Sequence, residues 1–405
     1  MRRRLFYGWV VVAIGTVITI VNAGTRTTLG AFLLPIERDT GWTKADISFA
    51  ASMGLLLYGL GAPFGGWLMR RFGLRRTTIA ALAVSAVSMF MSARSQSLGS
   101  LAFWFGLVSG LGSGMIAGPL GATVANRWFV NRRGLVTGIF GAATSAGLLA
   151  FYPLLTWMAV ANGWRWAASG VGWIVAALLA PAAFLLRDDP ADVGLQPLGG
   201  EAETVTSPDG PVMGRAIRSP EFWLLFGTFA VCGATSNGLV GQHFIPHAVD
   251  HGFTELVAAN WLAVMGAFNF VGAIVSGQLT DRIDPRRLLL GYYSFRGVSL
   301  FLLPYVHDNA SIAVFAILFG LDYIATVPPT IMLCADKFGR RNAGEIYGWV
   351  FAGHQFGAAV AAWAAGAVRD GAGAYDPAFV AAGGVAVAAG LMALMIPRSS
   401  KLTPA

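Results

Sequence analysis

The chain has 405 residues, of which 56% are hydrophobic and only 12% are charged. Soluble domains carry about 25% charged residues, so a water-soluble globular fold could not bury this much apolar surface. About a dozen apolar stretches alternate with short charged loops, and a stretch of roughly 20 residues is long enough to cross a bilayer as a helix. The composition therefore predicts an all-α integral membrane protein.

Twelve transmembrane helices are predicted. Their approximate bounds are 7–34, 46–69, 77–95, 99–125, 135–159, 166–186, 222–246, 255–279, 288–306, 311–335, 345–368 and 377–397. The first apolar run is too long for a signal peptide and no small-residue cleavage site follows it, so it is interpreted as the first span. Cys232 and Cys334 fall inside spans, where a thiol usually fills apolar space.

The distribution of positive charge predicts the orientation in the membrane. Of the 28 Lys and Arg residues, 21 fall in loops on one side, five in loops on the other, and Arg26 and Arg296 lie inside spans. Because cytoplasmic loops are enriched in Lys and Arg, both termini are expected in the cytoplasm. The net charge of +8 is thus assigned to membrane topology, and no nucleic-acid partner is predicted.

An internal repeat relates the two halves of the chain. A shift of 211 residues aligns the first two spans of each half, and a shift of 210 places Thr144 opposite His354. The matched pairs include Gly66 with Gly277, Gly138 with Gly348, Arg71 with Arg282, Arg75 with Arg286 and Arg76 with Arg287. The repeat predicts six-helix bundles at 1–188 and 220–405, with a cytoplasmic linker at 189–219. Parallel repeats of this kind imply a pseudo-two-fold axis along the membrane normal and a substrate site near the midplane.

Two loops resemble the signature loop of the major facilitator superfamily, G-x-L-x-D-R-x-G-R-R. They are GGWLMRRFGLRR at 65–76 and GQLTDRIDPRR at 277–287. The resemblance implies the superfamily fold of two pseudo-symmetric six-helix bundles, and a conformational latch at the cytoplasmic ends of helices. The matching latch residues are Asp281, Arg282, Arg71, Arg75 and Arg76. The first copy has Arg70 in place of the acid, whereas Asp281 is expected to cap or pair near Arg132 and Arg133 at the start of span five.

Further segments resemble the monocarboxylate and oxalate/formate transporter group, in its bacterial form. They are FYGWVVV at 6–12, GTRTTLGAFLLP at 24–35, GWRWAA at 163–168, GLDYIATVPPT at 320–330 and FGRRNAGEIYGWVFAGHQFGAA at 338–359. This resemblance implies that a cation in span one, here Arg26, and an arginine in span eight bind the substrate carboxylate. The span-eight position is occupied by Ala273 in this chain.

Polar residues inside spans are functional candidates, because charge in the bilayer is costly. Arg26 lies roughly 13 Å before the outer end of span one, at 1.5 Å per residue. Its guanidinium can bind a carboxylate through two parallel hydrogen bonds, or it can snorkel to the outer surface. Asn237, opposite Arg26 in the repeat, and Asn269 in span eight are candidate substrate contacts, or they hold helices together.

Arg296 and Asp322 lie on successive spans, both about 15 Å from the outer boundary. They can form a structural salt bridge, or Arg296 can contribute to substrate binding. Asp322 and His354 are the candidates for proton coupling, His354 because an unperturbed histidine has a pKa of about 6.5; a neutral, hydrogen-bonding His354 is the alternative. Gln355 points about 100° away from His354 on a helix, so the two are not expected to act together.

The sequence gives no reason to predict a metal or a cofactor. His243, His247 and His251 have helical spacing, but span seven is ending there and Pro246 is expected to interrupt it. Walker, dinucleotide, GxSxG and HExxH motifs are absent from the sequence, which argues against an ATP-driven pump or a familiar membrane hydrolase. The chain is therefore not expected to be an enzyme.

Together these features predict a secondary active transporter that works by alternating access. The expected activity is proton-coupled symport of a small, monocarboxylate-like organic anion by a monomer in the bacterial inner membrane, with the anion, protons and the lipid bilayer as partners. One alternative is proton-driven efflux of an amphipathic drug or metabolite. An alternative of another class is a polytopic membrane enzyme or receptor.

Overall fold

A computed structural model describes residues 6–42, 44–200 and 212–398. Arg2, Arg3, Arg4 and Lys401, which enter the orientation prediction, lie outside these ranges, as does the middle of the predicted linker. The first half contains α1 (Gly8–Thr40), α2 (Lys44–Phe72), α3 (Leu74–Ala93), α4 (Leu98–Leu101), α5 (Gly110–Trp128), α6 (Arg133–Asn162), α7 (Trp164–Ala177) and α8 (Leu179–Leu185). A short α9 (Val212–Ala216) follows in the linker.

The second half contains α10 (Pro220–Gly233), α11 (Gly241–Asp250), α12 (Glu255–Thr280), α13 (Pro285–Leu302), α14 (Asn309–Asp322), α15 (Val327–Phe338), α16 (Ala343–Ala372) and α17 (Asp376–Leu394). Two π-helical segments, Ala102–Ser109 and Ala234–Val240, join α4 to α5 and α10 to α11. Short 3₁₀ turns lie at Pro190–Val193, Leu303–Tyr305 and Arg340–Asn342. The prediction of an all-α fold is confirmed.

Ten helical stretches among the described residues are long and apolar enough to cross a membrane. The other two predicted spans correspond to α13 and α16, which are also continuous helices. α13 contains three charged residues, Arg286, Arg287 and Arg296, and the middle of α16 contains the polar residues His354 and Gln355. Each of the twelve predicted spans therefore lies on one or more helices of the structure.

α1 extends beyond the predicted end of span one at residue 34. Pro35 lies inside α1, which continues to Thr40, because a single proline removes one backbone hydrogen bond and bends a helix without always ending it. Gly41 ends α1 with a φ of 70°, and its N–H donates to the carbonyl of Glu37. The same reasoning applies to Pro246, which lies within α11. Our expectation that Pro246 interrupts span seven at the histidines is wrong.

Span ten is broken in the middle. α14 ends at Asp322 and α15 begins at Val327. Pro328 and Pro329 have no N–H to donate to the carbonyls of Ile324 and Ala325. The Val327 N–H donates to Ile324 at 2.9 Å and the Ser276 hydroxyl of α12 donates to Ala325, so the carbonyls that the break exposes are satisfied within the protein.

The chain divides into two compact units. Unit 1 comprises the described residues of Met1–Asn131, Ala143–Thr204 and Arg341–Trp349. Its linker segment docks beside the end of α5, since Leu198 donates to the carbonyl of Trp128 and accepts from the N–H groups of Val130 and Asn131.

Unit 2 comprises the described residues of Arg132–Ala142, Val205–Arg340 and Val350–Ala405. A buried cluster of aromatic and aliphatic side chains from α11, α12, α14 and α17 lies at one end of it, including Phe244, Phe315, Phe319 and Phe379. Short segments at the starts of α6 and α16 thus group with the unit formed mainly by the other half of the sequence.

Candidate functional site

A buried ion pair lies at the break in span ten. Nε of Arg296, in α13, donates to Oδ2 of Asp322 at 2.6 Å. Both side chains are inaccessible, at 0% and 1% exposure. The positions of these residues on successive spans allowed this pairing, and a charge buried this deeply requires a partner.

The guanidinium of Arg296 has further acceptors on three sides. Nη2 donates to the carbonyls of Asp322 at 2.7 Å and of Tyr323 at 3.1 Å. Nη1 lies 3.1 Å from Sγ of Cys232 and 3.2 Å from Oγ1 of Thr235. Each nitrogen of Arg296 therefore has an acceptor within the protein, and two of those acceptors are carbonyls at the break in the helix.

Asp322 is less completely bonded than Arg296. Its Oδ1 is buried and has no hydrogen-bond partner within the described part of the chain. A carboxylate oxygen in such a position is poorly stabilised, because a buried acceptor without a donor loses its hydration. Oδ1 is therefore the one oxygen of this ion pair without a hydrogen-bond donor among the described residues.

His354 lies next to the ion pair through Cys232. The Cys232 thiol contacts Arg296 and the Thr326 hydroxyl, at 3.1 and 3.0 Å, and interacts with His354. Cys232, which the sequence suggested was an apolar filler, is thus part of a polar cluster. His354 is buried and its ring packs against Phe229 and Phe351.

The expectation that Gln355 does not act with His354 is corrected by the structure. Nδ1 of His354 lies 3.2 Å from Oε1 of Gln355. The two Cα–Cβ bonds diverge on the helix, but the long Gln355 side chain bends back towards the ring. Helix geometry fixes the direction of each Cα–Cβ bond, but it does not fix the position of the end of a flexible side chain.

Asn237 lies in the π-helical segment of span seven. Its Oδ1 accepts from the Tyr323 hydroxyl at 3.1 Å, and the Tyr323 carbonyl accepts from Arg296. Asn237 is therefore linked through one residue to the ion pair. Sequence reasoning did not predict the π-helix, a structure frequently found at functional sites.

Arg26 is half-buried in α1 and faces α2. Its guanidinium carbon lies 5.3 Å from the centre of the Tyr58 ring, within the range of a cation–π interaction. One turn earlier, Nδ2 of Asn22 donates to the Ser113 carbonyl at 3.0 Å, which holds α1 against α5. Arg26 is thus positioned by its helix and by an aromatic ring.

The candidate contact Asn269 and the position occupied by Ala273 are both buried in α12. Asn269 is 6% exposed and Ala273 is 1% exposed. A Cβ added at Gly138, in α6, would lie 2.5 Å from the Ala273 carbonyl. The backbones of α6 and α12 are therefore in close contact where the resemblance places an arginine, and Ala273 suits that contact.

In unit 2, the acid of the signature loop caps a helix. Asp281 accepts from the backbone N–H groups of Gly134 and Leu135, at 2.7 and 2.9 Å, at the start of α6. Arg133 pairs with Asp336 at 3.5 Å. Burial lowers the pKa of the nearby Arg340 guanidinium to about 10, and the charge of Arg133 acts in the same direction, while Asp336 opposes it.

In unit 1, an ion pair occupies the corresponding place. Arg70 pairs through Nε with Glu345, near the start of α16. Gly66 and Gly344 are also in backbone contact, and a Cβ at Gly66 would lie 2.4 Å from the Gly344 carbonyl. We call these two arrangements the Asp281 latch and the Arg70 latch.

The other predicted latch residues lie beside these two contacts. Arg71, Arg76 and Arg282 are exposed. The backbone N–H of Arg75 donates to Oδ1 of Asp188 at 2.8 Å, so the start of α3 is capped from the end of span six. The sequence did not identify Glu345 or Asp188 as part of this region, although an acid opposite Arg70 could have been sought at the start of span eleven.

The twelve-helix fold and the polar groups buried within its spans define a multi-pass membrane transporter. A family profile described as Major Facilitator Superfamily matches residues 15–362 and, in a second alignment, 244–405. The chain belongs to the Major Facilitator Superfamily. The predicted fold of two six-helix bundles and the expectation that the chain is not an enzyme are both confirmed.

Curated relatives cover nearly the whole chain at low identity. Monocarboxylate transporter 13 of Rattus norvegicus is 26% identical over 397 residues, which cover 96% of this chain and 89% of that protein. The oxalate:formate antiporter of Oxalobacter formigenes is 25% identical and covers 85% of this chain and 81% of its own length. An uncharacterized MFS-type transporter of Bacillus subtilis (strain 168), YcxA, is 26% identical and covers 89% of this chain and 88% of its own length. The predicted resemblance to this group is confirmed.

Solved structures share the fold. A double-tryptophan mutant of XylE has a TM-score of 0.77 at 13% identity and covers 98% of this chain and 97% of its own. The superfamily transporter FucP has a TM-score of 0.70 at 15% identity and covers 96% of this chain and 98% of its own. At such identities the similarity establishes the fold alone.

Proposed function

We propose that the chain is a proton-coupled symporter of a small organic anion of the monocarboxylate type. The observation that carries the proposal is the position of Arg26, a half-buried cation inside a membrane helix with an aromatic ring beside it. The names of the relatives support the substrate class, since they include monocarboxylate transporters and an oxalate:formate antiporter.

Arg26 is the proposed anion-binding group. Among the two arginines inside spans, Arg296 already has acceptors for all three nitrogens, whereas Tyr58 offers Arg26 a π-face and a hydroxyl. A planar guanidinium that rests on a ring can still present two N–H groups to a carboxylate. We assign Asn237 and Asn269 to secondary substrate contacts, and Arg296 to holding Asp322 and the broken helix.

Asp322 is the proposed proton site, with His354 as its neighbour in the same polar cluster. The unpartnered Oδ1 of Asp322 is the group that gains most from protonation. Proton uptake at Oδ1 would neutralise the Asp322 carboxylate and weaken its ion pair with Arg296. Arg296 also donates to the carbonyls at the break. His354 reaches the cluster through Cys232 and is the alternative carrier.

The remaining expectations are part of the same proposal. The excess of Lys and Arg in one set of loops supports cytoplasmic termini in a bacterial inner membrane. The bundles at 1–188 and 220–405, joined by the linker at 189–219, are proposed as the alternating-access units, and the chain is proposed to act as a monomer. The Asp281 and Arg70 latches, with Arg71, Arg75, Arg76 and Arg282, are proposed to stabilise one state of the transport cycle.

Uptake into proteoliposomes tests the proposal. A panel of radiolabelled short-chain monocarboxylates and dicarboxylates is added with and without an inward proton gradient. We expect at least one carboxylate to accumulate when the gradient is present. The variant Arg26→Ala should lose this uptake, and Arg26→Lys should retain the charge but bind more weakly because lysine cannot form two parallel hydrogen bonds.

The matched control is Arg94→Ala, since Arg94 is exposed at the end of α3 in the same unit. Its uptake should equal that of the wild-type protein. Normal uptake by Arg26→Ala would refute the assignment of Arg26. Failure of every carboxylate, together with outward movement of cationic amphipathic compounds, would replace the proposal with efflux.

A further inference from the structure

Two histidines and an aspartate form a cluster at the end of unit 2 that lies away from the signature loop. His247 is in α11, His251 caps the end of α11, and Asp376 begins α17. Nδ1 of His247 and Nε2 of His251 lie 3.5 and 3.8 Å from the same oxygen, Oδ1 of Asp376. One donor atom from each of the three residues lies within 4.8 Å of the donors of the other two.

The tautomers of both histidines follow from their other hydrogen bonds. Nε2 of His247 lies 3.4 Å from the Leu303 carbonyl, and Nδ1 of His251 lies 3.0 Å from the His247 carbonyl. Because a carbonyl oxygen can only accept, each of these nitrogens carries the proton. In the neutral rings, Nδ1 of His247 and Nε2 of His251 therefore have free lone pairs, and both are directed at the same carboxylate.

Two atoms of the cluster lack hydrogen bonds. Nδ1 of His247, which is 2% exposed, and Oδ1 of Asp376 are both buried atoms for which the described residues supply no partner. No Lys or Arg in the described ranges forms an ion pair with Asp376, and Arg369 is paired with Asp250 at 2.8 Å. An unprotonated imidazole nitrogen facing an unpartnered carboxylate oxygen is an unfavourable pair of acceptors unless a proton or a metal ion lies between them.

The geometry fits a transition-metal ion. In a tetrahedral zinc site, metal–nitrogen bonds of 2.0–2.1 Å place the donors about 3.3 Å apart. The two histidine–aspartate separations therefore need to shorten by about half an ångström or less, and the separation of the two histidine donors, which is within 4.8 Å, by about 1.5 Å at most. Histidines that bind metals usually donate their second N–H to a carbonyl, as both do here. Imidazole ligands favour zinc, copper and nickel over calcium and magnesium.

We propose that His247, His251 and Asp376 form a binding site for a divalent transition metal of the zinc class. The half-exposed Asp376 side chain, at 40%, leaves the fourth position open to water or to an added ligand. His307 stacks on His251 with ring centres 5.2 Å apart and restricts that ring. An ion bound here ties the end of span seven to the start of span twelve, next to the π-helical segment that holds Asn237.

The site can be tested on purified protein without any transport assay. The full chain is prepared with an affinity tag free of histidine, stripped with a chelator, and titrated with zinc chloride by calorimetry. We expect one ion per chain and a higher melting temperature in zinc. Cobalt(II) should give the visible absorption of a tetrahedral nitrogen and oxygen site.

Variants decide whether the bound ion occupies this cluster. His247→Gln, His251→Gln and the half-exposed Asp376→Ala should each weaken zinc binding at least about 100-fold, the upper range for loss of a supporting group. Asp376→Ala keeps the test valid if the buried His247 variant fails to fold. His243→Gln is the control, because His243 is on the same helix but contacts the Ala362 carbonyl. Absence of zinc binding, or equal binding by wild-type and Asp376→Ala protein, would overturn the proposal.

Discussion

At the scale of single residues, one arginine explains how a broken helix persists inside the membrane. Arg296 binds the carboxylate of Asp322 and the carbonyls of Asp322 and Tyr323. These carbonyls lie where α14 ends and the two prolines prevent the helix from continuing. The ion pair therefore stabilises the break, and the break positions Tyr323, whose hydroxyl donates to Asn237.

The ion pair predicts a charge-dependent loss of stability. Arg296→Met should destabilise the protein by about 3–5 kcal/mol, because it leaves Asp322 buried without a partner. The double variant Arg296→Met with Asp322→Asn removes both charges and should recover much of the melting temperature in detergent. Asp308→Asn, at the exposed start of α14, is the control and should melt like the wild-type protein. An unchanged melting temperature in Arg296→Met would contradict this account.

Contacts between residues could be predicted from sequence where composition and spacing determine them. They could not be predicted where the conformation of a flexible side chain determines them. The positions of Arg296 and Asp322 on successive spans allowed their pairing, because the spans have known length and direction. The contact of His354 with Gln355 was missed, because χ angles and not helical position bring these atoms together. The role of Cys232 was missed because a lone thiol in an apolar span carries no pattern.

At the scale of elements, the two signature loops reach comparable contacts with different chemistry. Asp281 accepts two backbone N–H groups at the start of α6. Arg70 occupies the matching position of the repeat and pairs with the Glu345 side chain instead. Position 70 carries an arginine where the second copy has an acid, and Glu345 on the opposing helix supplies the acid, so each loop has a partner at the start of the opposing helix.

The Arg70 latch predicts recovery on exchange of its charges. Arg70→Glu and Glu345→Arg should each lower the melting temperature, and the double variant should recover part of it, with a coupling free energy of about 0.5–3 kcal/mol. Arg71→Glu combined with Glu345→Arg is the matched control, since Arg71 is the exposed neighbour. Equal recovery of the melting temperature in the two double variants would show that it comes from long-range attraction between charges and not from the Arg70–Glu345 contact.

Close backbone contacts beside both latches predict sensitivity to one added methyl group. A Cβ at Gly277 would lie 2.4 Å from the Gly134 carbonyl, and one at Gly66 would lie 2.4 Å from the Gly344 carbonyl. Gly277→Ala and Gly66→Ala should each cost about 1–3 kcal/mol. Gly384→Ala, where nothing lies within 4 Å, is the control. Equal melting temperatures for Gly277→Ala, Gly66→Ala and Gly384→Ala would refute the close backbone contacts.

The element boundaries show which physical effects a sequence reveals. Apolar length placed each of the twelve predicted spans on helical residues, because the bilayer sets that length. The π-helical segments at Ala102–Ser109 and Ala234–Val240 were missed, since one extra residue per turn leaves no signature in composition. Pro246 was expected to interrupt span seven, yet it lies inside α11.

At the scale of the whole molecule, the residues proposed for anion binding and for proton binding lie mainly in different units. Arg26 lies in unit 1, whereas Asp322, Arg296, Asn237 and His354 lie in unit 2. The repeat therefore has an asymmetric chemistry, with Asn237 at the position that matches Arg26. We expect anion binding to depend mainly on unit 1 and proton binding on unit 2.

Proton movement accompanied by substrate is the most direct measurement of the central claim. Proteoliposomes are loaded with a pH-sensitive dye and receive an external carboxylate found in the uptake panel; empty liposomes correct for diffusion of the neutral acid. We expect the liposome lumen to acidify with wild-type protein and not with Arg26→Ala. The double variant Arg296→Met with Asp322→Asn should still exchange carboxylate but should not acidify the lumen. Carboxylate accumulation that brings no proton with it, in wild-type protein, would contradict the account.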